Sequence, residues 1–173
     1  LLGRLNMTTA NGDTDGDGDY DELFTYGARS FSIWNADNGD LVYDSGSELE
    51  LITAADPVFG AIFNTTDDEN NFKNRSDDKG PEPEAVTVAE INGVPYAFIA
   101  LERIGGLMVY DISNPQAPVF LQYTNILSLE TGGGVLTPED VNRITPYNGP
   151  VGKCFAGVSD EVSGTVGVFE SST

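Results

Sequence analysis

Residues 13 to 21 read DTDGDGDYD, with an aspartate at every second position and glycines at 16 and 18. Carboxylates about 4 Å apart repel by ~1 kcal/mol per pair even in water, so five converging on one point would cost on the order of 10 kcal/mol without a counter-charge. A cation is the natural occupant. Asp13, Asp15 and Asp17 fall at positions 1, 3 and 5 of a calcium loop. Gly18 falls at position 6, where the chain must turn sharply, and Asp19 at position 7, which offers its backbone carbonyl. Position 12, where an EF-hand places a bidentate Glu, is Phe24; position 9 is Asp21. The pattern D-x-D-x-D-G-x-x-D therefore predicts calcium held by Asp13, Asp15, Asp17, Asp19 and Asp21, in a hairpin loop. The plainer alternative is a solvated acidic turn.

A second acidic stretch, TTDDENNFKNRSDDKGPEPEA (65 to 85), holds seven acids and three bases. Gly80 to Glu84 is stiffened by two prolines immediately before a strand, which fixes the direction of Glu82 and Glu84. Asp77, Asp78, Glu82, Glu84 and Glu102 are the candidates for a second cation site, or for one that handles phosphate with Arg75, Lys79 and Arg103. Glu102 and Glu161 each end a strand before a glycine turn. They could converge at one rim of the fold, or simply accept backbone N–H groups in their turns.

Charge and composition restrict the partners. With 28 acidic and 8 basic residues the net charge is −20, which repels nucleic acid and anionic lipid and favours cations or basic partners. No apolar run approaches the ~20 residues of a membrane helix, so no membrane insertion is expected. The chain has no histidine, which excludes Ser-His-Asp and Cys-His catalysis by its own residues and a His-rich zinc site. Gly132–Gly134 lacks the Lys and helix of a phosphate loop and reads as a connector. Three Asn-X-Ser/Thr sequons, at Asn6, Asn64 and Asn74, point to a secreted glycoprotein. The single cysteine, Cys154, reads as a buried thiol. Without an initiator Met, the chain reads as a mature product or a piece of something longer.

Strand-like bursts dominate, at 4 to 9, 23 to 27, 30 to 35, 41 to 44, 85 to 91, 96 to 102, 106 to 112, 119 to 124, 153 to 158 and 165 to 170. Helical spacing is confined to Ser47–Ala55 and Thr137–Ile144, the latter opened by T-P-E-D in the manner of a capped first turn. Phe24, Phe98 and Phe155 head three copies of one strand grammar, 74 and 57 residues apart. Removing the acidic insertion brings the longer interval near the ~40 to 50 residues of a four-stranded propeller blade. The expected fold is all-β, with β-propeller-type repeats of four-stranded antiparallel blades, about two and a half of them. Residues 1–46 form a blade with the calcium loop, 64–84 the acidic insertion, 85–125 the second blade and 137–170 a partial third. Aromatics at strand ends, Trp34 among them, are expected between blades. Two and a half blades cannot close a ring, so missing blades or another chain must complete it.

Those segments also carry a resemblance. DTDGDGDYDELFTYGARSFSIWNA, NRSDDKGPEPEAVTV, YAFIALERIGGLMVYDISNPQAPVFLQY and DEVSGTVGVFE resemble the choice-of-anchor I family of extracellular proteins. That family includes cell-surface glycoproteins of biomineralising mesenchyme cells, and some bacterial members are described as atypical alkaline phosphatases. The resemblance implies a longer, calcium-binding propeller, secreted or cell-surface, with blades missing on the N-terminal side. Residues 131 to 152 fit it poorly. The function expected is an extracellular calcium-binding glycoprotein with a structural, adhesive or mineral- and matrix-binding role. The alternatives are a calcium-dependent phosphoesterase and a subunit of an extracellular filament or sheath.

Overall fold

The computed structural model describes residues 4–27, 29–66, 70–125, 138–144, 155–161 and 163–170. Among the described residues, nine strands and one α-helix follow the order β1 (Ser32–Trp34), β2 (Leu41–Asp44), α1 (Glu48–Ala55), β3 (Pro83–Ile91), β4 (Val94–Leu101), β5 (Leu107–Asp111), β6 (Val119–Thr124), β7 (Pro138–Ile144), β8 (Phe155–Asp160) and β9 (Val166–Glu170), with a 3₁₀ turn at Phe59–Ile62. They make a two-stranded sheet β1-β2, a four-stranded meander β3-β4-β5-β6 and a three-stranded sheet β7-β8-β9, all antiparallel. The expected β-rich chain of antiparallel sheets is what forms, with the meander where the second blade was placed.

Alternation along β4 explains why the meander is central. Ala97, Ile99 and Leu101 point to one face, where they join Leu49 of α1, Ile62, Ile104, Met108 and Tyr110 in a buried cluster. Ala100 points to the other, where with Leu107 it meets Val141, Ala156 and Val158 of the three-stranded sheet. The sheet is thus covered on both sides, and each fully buried aliphatic side chain contributes roughly 1.5 to 3 kcal/mol. Hairpin β3-β4 turns at Asn92-Gly93, with φ of 54° and 81°. Positive φ at both residues is what a two-residue turn matching strand twist requires. Glu48 and Glu50 in the first turn of α1 complement its dipole.

Tyr110 is fully buried against Phe31 and Phe120, yet its hydroxyl has no hydrogen-bond partner among the described residues, and burial pushes its pKa up. An unpaired buried hydroxyl carries its whole desolvation cost. Tyr110→Phe should therefore leave stability unchanged or raise it by about 1 kcal/mol, read by urea unfolding; a loss above that size would mean that the hydroxyl is bonded.

Two expectations require correction. Of the helix expected over Thr137–Ile144, residues 138–144 instead form β7, paired with β8 from Pro138↔Asp160 to Ile144↔Phe155. Pro138 sits at the first position of the strand, where its missing N–H is harmless, and Val141 is drawn into the inter-sheet core. Tertiary pairing overrides the local T-P-E-D signal. In the first repeat, the strands expected at 4 to 9 and 23 to 27 reduce to a single bridge, Met7↔Thr25. Leu23, Phe24 and Tyr26 stay 74%, 43% and 47% exposed, so no packed face holds a longer ladder there. Trp34 is 59% exposed, so an inter-blade place for it would need a further blade or another chain to cover it. Residues 126–137 and Cys154 lie outside the described residues.

Candidate functional site

The acidic loop is closed at its neck by Glu22 N–H donating to the Gly12 carbonyl at 3.1 Å. A Cβ on Gly12 would lie 2.2 Å from the Glu22 carbonyl oxygen, so only glycine permits that approach. Within the loop Asp13 accepts from Gly16 N–H (2.6 Å) and Gly18 N–H (3.2 Å), and Asp21 from the N–H and hydroxyl of Thr14 (3.0 and 2.6 Å). These bonds from Thr14 hold Asp21 below its ordinary pKa. They also aim the side chains inward. Asp13, Asp15 and Asp21 each offer a carboxylate oxygen within 4.8 Å of the others, on an exposed surface. Ligands on opposite sides of one calcium, at ~2.4 Å each, stand about 5 Å apart, so the spacing fits a shared hard cation. Asp17 and Asp19 lie outside this group; Asp17 accepts the N–H of Asp19 instead.

The stem of that loop docks on the second acidic stretch. Arg4 pairs with Asp77 at 2.5 Å, Asn6 N–H donates to the Asp77 carbonyl at 2.8 Å, and the Asn6 amide donates to Asp78. Backbone and Arg4 together hold the Asp77 carboxyl below its usual range. Arg29 reaches Glu50 (2.7 Å) and the Ser76 carbonyl (2.9 Å). Asp77 and Asp78 are therefore tied to the N-terminal segment, apart from the remaining acids of the expected second site.

Those remaining acids assemble elsewhere. Glu82 is buried at 4% exposure, with φ of 49°, and receives Lys79 Nζ at 2.8 Å, Arg103 Nε at 2.5 Å and Arg75 Nη2 at 3.7 Å. Arg103 also binds Glu102 at 2.6 Å. Burial raises the Glu102 pKa, Arg103 opposes that, and the charges of Glu82, Glu84 and Glu139 reinforce it. Glu139 is raised by desolvation, then by its hydrogen bond and charge contact with Glu161, then by Glu84. Glu84, Glu102, Glu139 and Glu161 thus share one electrostatic neighbourhood with Arg103, contributed by two sheets.

The register explains this. β3 and β4 shift between Pro83 and Ala85, and β7 and β8 between Pro138 and Asp140, which leaves Glu84 and Glu139 as the extra residues of two bulges. Pro83 faces Leu101, just before Glu102; Pro138 faces Asp160, just before Glu161. Each repeat delivers one glutamate from a Pro-Glu bulge and one from the end of the next strand. Glu139 was missed in the sequence, although its Pro138-Glu139 step repeats Pro83-Glu84.

Of the sequon asparagines, Asn6 is exposed, Asn74 half-buried and Asn64 2% exposed.

The chain belongs to the choice-of-anchor I domain family, whose model matches residues 1–115, from the acidic loop through β5. It is also similar to Gigasin-3a of Magallana gigas, 30% identical over 188 aligned positions. That alignment covers 98% of this chain and 64% of the relative, so the chain spans less than two thirds of the relative's length. No solved structure matches it. Among the described residues no helix is long and apolar enough to cross a membrane.

Proposed function

We propose that this chain is an extracellular calcium-binding glycoprotein, part of a β-propeller, in which calcium pins the 13–21 loop and the fold presents an acidic surface for structural, adhesive or matrix contacts. The observation that carries the reading is the convergence of Asp13, Asp15 and Asp21 in an all-oxygen loop whose backbone bonds pre-set the carboxylates. Family membership and the sequons support an extracellular or cell-surface setting. Val166 and Val168 on β9 are 69% and 58% exposed, which supports completion of the propeller by further blades or another chain. Titrating the chelator-treated protein with calcium while following thermal unfolding tests the calcium reading. A concentration-dependent rise in Tm is expected, and an unchanged Tm up to millimolar calcium would sink it.

A second reading, a calcium-dependent phosphoesterase, draws support from the four glutamates around Arg103. Carboxylates there would hold metal, which when bound would activate water; Arg103 would meet a phosphate oxygen. The test is p-nitrophenyl phosphate hydrolysis with calcium and with chelator, in wild type and in Glu139→Gln. Enzymatic use of the rim predicts chelator-sensitive turnover that the variant loses. Without metal the sign is different. The raised pKa of Glu139 means that its contribution to stability is present at low pH and lost as pH rises through that pKa. In chelator, Glu139→Gln should therefore raise Tm at pH 7 and change it little at pH 4.

A further inference from the structure

Two of the sequons are hydrogen-bonded to each other. Asn64 Nδ2 donates to Ser76 Oγ at 3.2 Å, the hydroxyl of the Asn74 sequon. Reciprocally, Asn74 Nδ2 donates to Thr66 Oγ1 at 3.1 Å, the hydroxyl of the Asn64 sequon, and Asn74 Oδ1 accepts the Thr66 N–H at 2.9 Å. Backbone bonds from Arg75 N–H to the Asn64 carbonyl (2.9 Å) and from Lys73 N–H to the Phe63 carbonyl (2.8 Å) hold the two segments together. Asn64 also adopts φ of 49°, a left-handed conformation that Asn tolerates better than most residues.

We propose that the Asn64 and Asn74 sequons form a structural clasp closed to sugar in the folded protein, and that Asn6 is the N-glycan site of this chain. An N-linked glycan replaces one of the two hydrogens on the asparagine Nδ2. Asn64 already donates to two acceptors, Ser76 Oγ and Glu50 Oε1 (2.9 Å), and its side chain is enclosed, so a sugar would both remove a bond and displace the core. At Asn74 both ends of the amide bind Thr66, and the side chain is half-buried. Asn6 differs on each count. It is exposed, and among the described residues its Nδ2 donates to Asp78 alone, so one hydrogen can be replaced while that bond is kept.

The inference rests on the extracellular reading only for where the chain meets glycosylating enzymes, and the experiment supplies that step itself. The full chain is expressed behind a secretory leader in a eukaryotic cell line, and the secreted, monodisperse fraction is deglycosylated enzymatically in ¹⁸O-water, which marks each formerly glycosylated asparagine by mass. Label is expected at Asn6 and absent at Asn64 and Asn74. Asn6→Gln should be secreted at wild-type yield with no glycan, whereas Asn64→Gln should keep its one glycan and fall several-fold in yield. Sugar on Asn64 or Asn74 in the folded fraction, a bare Asn6, or undiminished yield of Asn64→Gln would overturn the proposal.

Discussion

Glu82→Gln is expected to lower the free energy of unfolding by about 3 kcal/mol, because breaking a buried ion pair from one side leaves charge uncompensated in a poorly hydrated place. Three of the chain's eight basic residues, Arg75, Lys79 and Arg103, approach this carboxylate, and its side chain is only 5% exposed. The Nε of Arg75 is itself buried without a partner among the described residues, so that guanidinium has little else there to turn to. Glu82 also links distant pieces of chain: its carbonyl accepts the Glu102 N–H at 2.8 Å while its side chain receives residues from both the acidic stretch and the end of β4. Glu84→Gln, two residues on and exposed, is the control and should change stability by less than about 0.5 kcal/mol. Urea unfolding of both variants in chelator, with calcium out of the comparison, is the measurement. Equal midpoints for the two would show that the three cations do not depend on Glu82.

How far the sequence could be read depended on what carried each signal. The strands of the meander were legible because Val94–Leu101 and Leu107–Asp111 are apolar, β-branched or aromatic and bounded by turn residues, and they are buried for that reason. Ser47–Ala55 was legible because Leu49 and Thr53 recur at helical spacing on the buried side. T-P-E-D misled because its capping signal is local, whereas the pairing that decides its conformation comes from β8, 11 or more residues away in the chain. The first repeat misled in the opposite sense. L-F-T-Y alternates like a strand, but alternation needs a partner face, and Leu23, Phe24 and Tyr26 have none among the described residues. For the site, the aspartate spacing identified the loop but could not tell which carboxylates meet, since that depends on which backbone N–H groups each accepts. Glu82 appeared as one acid among seven; its burial among three cations is a tertiary fact with no local signature. The rim was visible in part, Glu84 with Glu102 in the expected second site and Glu102 with Glu161 as a pair, and became a four-carboxylate arrangement only when the bulges placed Glu139 beside them.

Asp13→Asn and Asp21→Asn should each cost far more stability in calcium than in metal-free conditions. In chelator, neutralising one member of the trio removes repulsion of up to ~1 kcal/mol per neighbouring carboxylate but weakens the hydrogen bonds that the charged group accepts, the bonds that lower the Asp21 pKa, so the two effects oppose each other and both variants should fall only slightly below wild type in Tm. Asp21 accepts both bonds from Thr14 on one oxygen, which an asparagine keeps as a weaker, neutral acceptor, whereas Asp13 accepts Gly16 N–H and Gly18 N–H on separate oxygens, so an asparagine there keeps only one of the two. In calcium at about 100 times Kd, binding to the native state alone would stabilise wild type by ~2.7 kcal/mol, and an amide in place of a carboxylate forfeits most of that. Asp15→Asn should behave in the same way. Asp17→Asn and Asp19→Asn, outside the converging group, should keep the larger part of the calcium response. Differential scanning calorimetry of the five variants, with and without calcium, separates this ordering from a diffuse effect of net charge. A chain at −20 would respond to any one of these substitutions about equally if calcium merely screened it, and salt at matched ionic strength would then reproduce the rise. Five equal shifts, or a rise in Tm that sodium chloride reproduces, would remove the loop from the account and leave calcium as a general counter-ion.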